Sequence, residues 1–144
     1  MSIPADPAPP LVAGRYLWIL GRYDYVVTRF DTITRRVRIV PTGDLPFAAA
    51  AGAGSIWVAH DFERAVWRLD PASMRVRARI GMGEHARGVA FGRGRVWMAT
   101  ETGLRVVDPE TNRVVSRVTL SALRPDDGPI GIALLGPNVW ISIE

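Results

Sequence analysis

Trp18, Trp57, Trp97 and Trp140 each follow an aliphatic residue (Leu17, Ile56, Val96 and Val139) and stand 39, 40 and 43 residues apart. Asp31, Asp70 and Asp108 keep the same beat, at 39 and 38 residues, and the stretches behind them align as D-T-I-T-R-R-V, D-P-A-S-M-R-V and D-P-E-T-N-R-V. Arg36, Arg75 and Arg113 then share one column, and Val37, Val76 and Val114 the next. Several columns in register at a period of about forty residues mark a repeat architecture. Each unit is then one supersecondary piece that buries its faces only against its neighbours.

Punctuation divides each unit into four short strands, a to d. Strand a covers Phe47–Ala51, Gly88–Phe91 and Ile130–Leu134, and a degraded copy is expected over Pro7–Ala13. Tight turns follow at Gly52-Ala53-Gly54, Gly92-Arg93-Gly94 and Gly136-Pro137-Asn138, where Gly reaches the positive φ that such hairpins need. Strand b carries the Trp column: Tyr16–Leu20, Ser55–Ala59, Arg95–Thr100 and Val139–Ile143. Strand c, over Tyr25–Phe30, Ala65–Leu69 and Leu104–Val107, ends at the Asp column. An Asp opening a turn accepts a backbone N–H two residues on, Pro71 and Pro109 preset φ, and Thr34, Ser73 and Thr111 add a hydroxyl. Strand d runs Arg36–Val40, Arg75–Ile80 and Arg113–Leu120.

Four antiparallel strands per forty residues make a propeller blade. The fold class is therefore all-β: β-propeller blades of four antiparallel strands, about three and a half of them, as an incomplete or open propeller. Residues 1–10 read as a disordered Pro-rich N-terminus. Residues 11–144 are the propeller segment, with blade units at about 11–45, 46–85 and 86–128 and a half-blade at 129–144. Closed propellers need four to eight blades. Core-type side chains at both ends of the stack, Leu17 and Ile19 at one and Ile130, Ile132, Leu134, Trp140 and Ile141 at the other, point to self-association or to further blades from a longer chain.

All eighteen basic side chains are Arg, and the formal net charge is +4. Arg75, Arg77 and Arg79 alternate along one strand d, as do Arg36 with Arg38 and Arg113 with Arg117 on the others. Charge on outer strands discourages edge-to-edge pairing, so these columns read as edge protection and not as a specific nucleic-acid surface. There is no Cys, hence no disulfide and no thiolate metal site. No apolar run reaches the ~18 residues of a membrane span, and the chain as written carries no signal peptide, which makes the cytoplasm the expected compartment.

The columns resemble the YVTN-type (YncE-like) propeller repeat and the related virginiamycin B (streptogramin) lyase propellers. The residues that carry the resemblance are G-L-R-V-V-D-P-E-T-N-R-V-V-S-R-V at 103–118 and P-I-G-I-A-L-L-G-P-N-V-W-I-S-I-E at 129–144. The lyases' pattern puts a His after the Pro that opens strand a and a Glu at the end of the next strand b. Here Glu101 and Glu144 match the Glu column, while the His positions hold Phe47, Arg87 and Ile130. The resemblance thus implies the fold and leaves lyase chemistry without its base. His85, two residues before one such position, pairs with Glu101 as the single candidate catalytic couple.

The d–a and b–c connections share one face, where loops on a rigid scaffold carry ligands. The ligand-face candidates are Arg22, Tyr23, His60, Asp61, Glu84, His85, Arg87, Glu101, Asp126 and Asp127, with Asp24, Asp44 and Glu63 beside them. Asp61, Glu101 and Asp126 have the ligand type of a hard cation, but acidic loops are ordinarily just solvated, and no metal or cofactor is assigned. The reading is a non-catalytic binding or protein-interaction module for an unknown small molecule or protein. The rivals are a lyase-type enzyme acting on a cyclic peptide or lactone and a structural repeat segment of a larger protein.

Overall fold

The computed structural model describes residues 6–121 and 128–143. Among these described residues, fourteen strands form four separate antiparallel sheets in chain order. The first blade holds β1 (Leu11–Ala13), β2 (Tyr16–Gly21), β3 (Val26–Asp31) and β4 (Val37–Pro41). The second holds β5 (Pro46–Gly52), β6 (Ser55–His60), β7 (Ala65–Leu69) and β8 (Val76–Gly81). The third holds β9 (Ala86–Gly92), β10 (Arg95–Thr100), β11 (Gly103–Asp108) and β12 (Arg113–Thr119). Strands β13 (Pro129–Leu135) and β14 (Asn138–Ile143) pair as a half-blade. The innermost strands β5, β9 and β13 pack against one another in turn, which stacks the sheets face to face around one side of an axis.

The Asp column acts as expected. Asp70 Oδ1 accepts from the N–H groups of Ala72 (2.9 Å) and Ser73 (2.7 Å), and Asp31 Oδ1 from those of Ile33 (3.0 Å) and Thr34 (3.1 Å). Asp108 Oδ1 accepts from Glu110 N–H at 3.0 Å. Burial alone would raise the Asp31 carboxyl, but the two N–H groups and Arg15 outweigh it and bring its pKa down to about 2. Each turn then needs a left-handed residue, and Arg35, Met74 and Asn112 supply it at φ 62°, 60° and 55°.

Two cores lie between blades. Trp18, Leu20 and Val27 of the first blade meet Ile56, Val58, Leu69 and Met74 of the second. Trp57, Ala59, Val66 and Ile80 of the second meet Val89, Val96, Met98 and Val107 of the third. The Trp column is therefore a blade-to-blade contact only where a full blade follows. Trp18 and Trp57 are 1% and 0% exposed, Trp97 is half-buried under the half-blade, and Trp140 is 59% exposed.

Two sequence readings change. Of the hairpin glycines, Gly54, Gly94 and Gly136 have positive φ, the first two each after a residue that does too (Ala53 and Arg93), but Gly52 and Gly92 do not. Their reason is packing: a Cβ on Gly52 would overlap the Phe91 ring of the next blade, and one on Gly92 the Leu134 side chain. Each of those glycines also accepts, at its carbonyl, the indole N–H of its own blade's Trp (Trp57 or Trp97) at 3.0 Å. The second change concerns the Pro-rich start. Residues 1–5 lie outside the described residues, but Pro7 bridges to Gly21, Ala8 N–H donates to Leu20 O at 3.2 Å, and Ala8 is 2% exposed. The edge Arg residues Arg36, Arg38, Arg75, Arg77, Arg79, Arg113 and Arg117 are all exposed on β4, β8 and β12 or just before them.

Candidate functional site

The turns between β2 and β3, β6 and β7, and β10 and β11 place Arg22, Asp61 and Glu101 at equivalent positions. Asp61 N–H donates to Leu45 O, and Glu101 N–H to His85 O, both at 3.1 Å, so each turn is pinned to the loop that enters its own blade. From there the Arg22 and Asp61 side chains reach the next blade, while Glu101 stays exposed. The Arg22 guanidinium lies over the Phe47 ring at 4.3 Å. Asp61, 3% exposed at its side chain, meets Arg87 Nε at 3.0 Å with Oδ2 and His85 Nδ1 at 2.9 Å with Oδ1.

In that geometry the side chains of His85 and Glu101, the candidate couple, do not meet. Their link is the backbone bond just described. The His85 ring faces Asp61 of the preceding blade, packs edge-on against Phe62 at 6.2 Å, and makes no hydrogen bond to the exposed Glu101 side chain. The position that would hold the lyase His carries Arg87, which is likewise turned to Asp61 and not toward Glu101.

His60 does not reach the ligand face. It is fully buried, with Nε2 at 2.8 Å from Thr42 Oγ1 and its ring 4.7 Å from that of Trp67. Burial is the main cause of its pKa falling to about 4, and the nearby Arg79 charge works in the same direction. Trp67, off the Trp column, closes this cluster: its indole N–H donates to Glu63 Oε2 at 2.8 Å and Arg79 covers its ring at 4.1 Å.

Glu84 is a structural clamp. Its Oε2 accepts from Thr102 Oγ1 (2.8 Å) and Thr102 N–H (3.2 Å), and its other oxygen forms an ion pair with Arg105; both side chains are about nine-tenths buried. Tyr23 and Phe62 occupy equivalent turn positions and are 64% and 60% exposed. Asp126, Asp127 and Glu144 lie outside the described residues. Both Asp61 oxygens are taken by cationic or N–H partners, which leaves them poorly placed for a hard cation.

Between the innermost strands lies a cavity of about 390 Å³. Ala48, Gly88, Val89, Gly131 and Ile132 make its walls, Pro9 approaches from the N-terminal segment, and Arg22 and Phe47 stand in its lining. An apolar cavity with one convergent charged group is the usual form of a ligand pocket. Phe47 and Phe62 were not singled out as contacts from the sequence. Their position in the repeat, one residue after a candidate or at a family His position, was the available signal.

The fold and this face define a β-propeller array, open and not closed into a ring. No family model matches the sequence, and no curated protein does. Among solved structures, the chain is similar to the WD40 β-propeller domain of Doa1 (TM-score 0.78, 11% identity, covering 95% of this chain and 47% of that one). It is also similar to Kuenenia stuttgartiensis hydrazine synthase (TM-score 0.76, 18% identity, 92% and 40%). A third likeness is to the computationally designed Ika4 protein (TM-score 0.77, 11% identity, 99% and 90%). The chain thus spans less than half the length of the first two. At such identities the likeness shows the fold alone.

Proposed function

We propose that this chain is a non-catalytic binding module of the YncE-like, streptogramin-lyase-like propeller type, taking a small molecule or a protein segment at the axial cavity. The observation that carries this reading is the orientation of His85: it is turned to Asp61 in the preceding blade, while Glu101 stands exposed without it. An acid–base couple needs both groups within reach of one substrate proton. The YncE-like and lyase-like affinity rests on the repeated D-P-x-T/S columns and on no activity.

A second reading has one observation in its favour. Buried Asp61 orients the His85 ring through Nδ1, which leaves Nε2 for a substrate, the arrangement of a general base. The deciding experiment incubates the protein with a cyclic depsipeptide lactone and follows the ring-opened product by liquid chromatography. The module reading expects the lactone to remain intact. Ring opening that disappears in His85→Gln overturns it in favour of the lyase-type enzyme.

A further inference from the structure

Arg22 is the charged group of the axial cavity, and its donors are under-used. Nε is buried and has no hydrogen-bond partner among the described residues. The contact made by Nη1 is a long one, 3.4 Å, to Asp6 Oδ2. One face of the guanidinium is covered by Phe47. A planar fork of five N–H donors, held against an aromatic ring at the edge of apolar walls, is suited to donate to two oxygens of one planar anion. A buried donor without an acceptor costs free energy that an incoming acceptor recovers.

The group that comes nearest to filling this role is itself a carboxylate. Asp6 belongs to the segment whose Pro7 and Ala8 are tied to Gly21 and Leu20, and whose Pro9 lines the cavity. At 50% exposure and 3.4 Å, the Asp6 carboxylate is a loose occupant, displaced at little cost. The remaining lining is Ala, Val, Ile, Gly, Pro and Phe, which offers a ligand body apolar contact and no second charge. A multiply charged phosphate would find a single cation here, whereas a monoanion finds its match.

Resting on the proposal that the axial cavity is the binding site, we infer that Arg22 and Phe47 recognise a carboxylate borne on an apolar body, and that Asp6 holds the place of that carboxylate in the free chain. A free small acid and the C-terminus of a peptide ending in an apolar residue share this chemistry.

The test uses the 144-residue chain and backbone amide NMR with four probes: 3-phenylpropanoate, its neutral amide, and the tripeptide Ala-Ala-Phe with a free or an amidated C-terminus. Saturable shifts at Ala48, Gly88 and Val89 are expected with the carboxylates at millimolar concentration. The amides should bind at least tenfold more weakly. Binding of the tripeptide but not of phenylpropanoate assigns the peptide source, and the reverse assigns the small acid. Arg22→Gln should weaken the carboxylates at least tenfold, Asp6→Asn should tighten them a few-fold, and Arg36→Gln on the outer rim should change nothing. Should Arg22→Gln fail to fold, the acid–amide comparison and Asp6→Asn still decide. Amides that bind in the cavity as tightly as acids, or an Asp6→Asn variant that gains nothing, overturn the carboxylate inference and leave the binding module standing. Absence of any saturable shift up to about 10 mM overturns the inference. If ring opening of the lactone accompanies that absence, the module reading falls too.

Discussion

Arg68 crosses from the second blade to the third and donates from Nη1 to the Pro109 carbonyl oxygen at 2.6 Å. The same atom reaches Asn112 Oδ1 at 2.9 Å, while Nε holds Ser55 Oγ of its own blade at 2.8 Å. One blade earlier Arg29 does the same, donating to Pro71 O at 2.6 Å and Ala72 O at 2.7 Å. In each case an Arg two residues before the column Asp clamps the Asp turn of the following blade. In the third blade Val106 takes this place.

Arg68→Met keeps an unbranched apolar side chain and removes the fork, which also lies over the Trp57 ring at 4.9 Å. Turn carbonyls and Ser55 then lose a charged donor, a loss of about 1–3 kcal/mol. A urea midpoint that falls at unchanged slope is the expected result. An unchanged midpoint would show that the clamp is replaced by solvent without cost.

Asp108→Ala removes the acceptor of the Glu110 N–H and the partner of Arg95. By analogy with loss of a side-chain cap to backbone N–H groups, stability should fall by about 0.5–2 kcal/mol. Asp108→Asn, which keeps the accepting oxygen, should recover most of it. Equal losses in both variants would place the effect in the Arg95 ion pair instead.

His60 makes the fold acid-sensitive. Its folded pKa is about 4, lowered from 6.5, so the unfolded chain takes up a proton first as pH falls. The neutral ring contributes fully above pH 6.5, stability declines as pH drops below that value, and the loss levels off below about pH 4. The full difference is on the order of 3 kcal/mol. Urea unfolding of wild type and His60→Gln at pH 7, 6, 5 and 4 reads the difference between the two curves, which should narrow steadily toward low pH. A constant gap would rule out His60 as the titrating group.

Trp140, Leu135 and Ile143 are 59%, 69% and 51% exposed on the half-blade, whereas the equivalent Trp18 and Trp57 are buried. Burying such a side chain is worth about 1.5–3 kcal/mol. The isolated 144-residue chain should therefore self-associate at micromolar concentration by light scattering, and Trp140→Glu should lower the apparent mass. A wild-type chain that scatters as a monomer contradicts this expectation.

The blade itself was legible from the residues. Alternation around Trp57, the Asp70 turn and the hairpin turn at Ala53–Gly54 are local matters of φ, side-chain direction and turn hydrogen bonds, all confined to one forty-residue unit. The Arg29 and Arg68 column was also visible, at a constant offset from the Asp, but nothing local says what an Arg there touches. Partners across blades were decided by the stacking. Phe91 on Gly52, Arg68 on Pro109 and His85 on Asp61 join residues 24 to 41 positions apart. The repeat period determines that equivalent residues recur. It does not determine the rotation and slide of one twisted sheet on the next, and those set which side chain of one blade meets which of its neighbour. The candidate site lies across these interfaces, so the group that the His85 ring faces was not legible in the sequence, whereas the scaffold, built within blades, was.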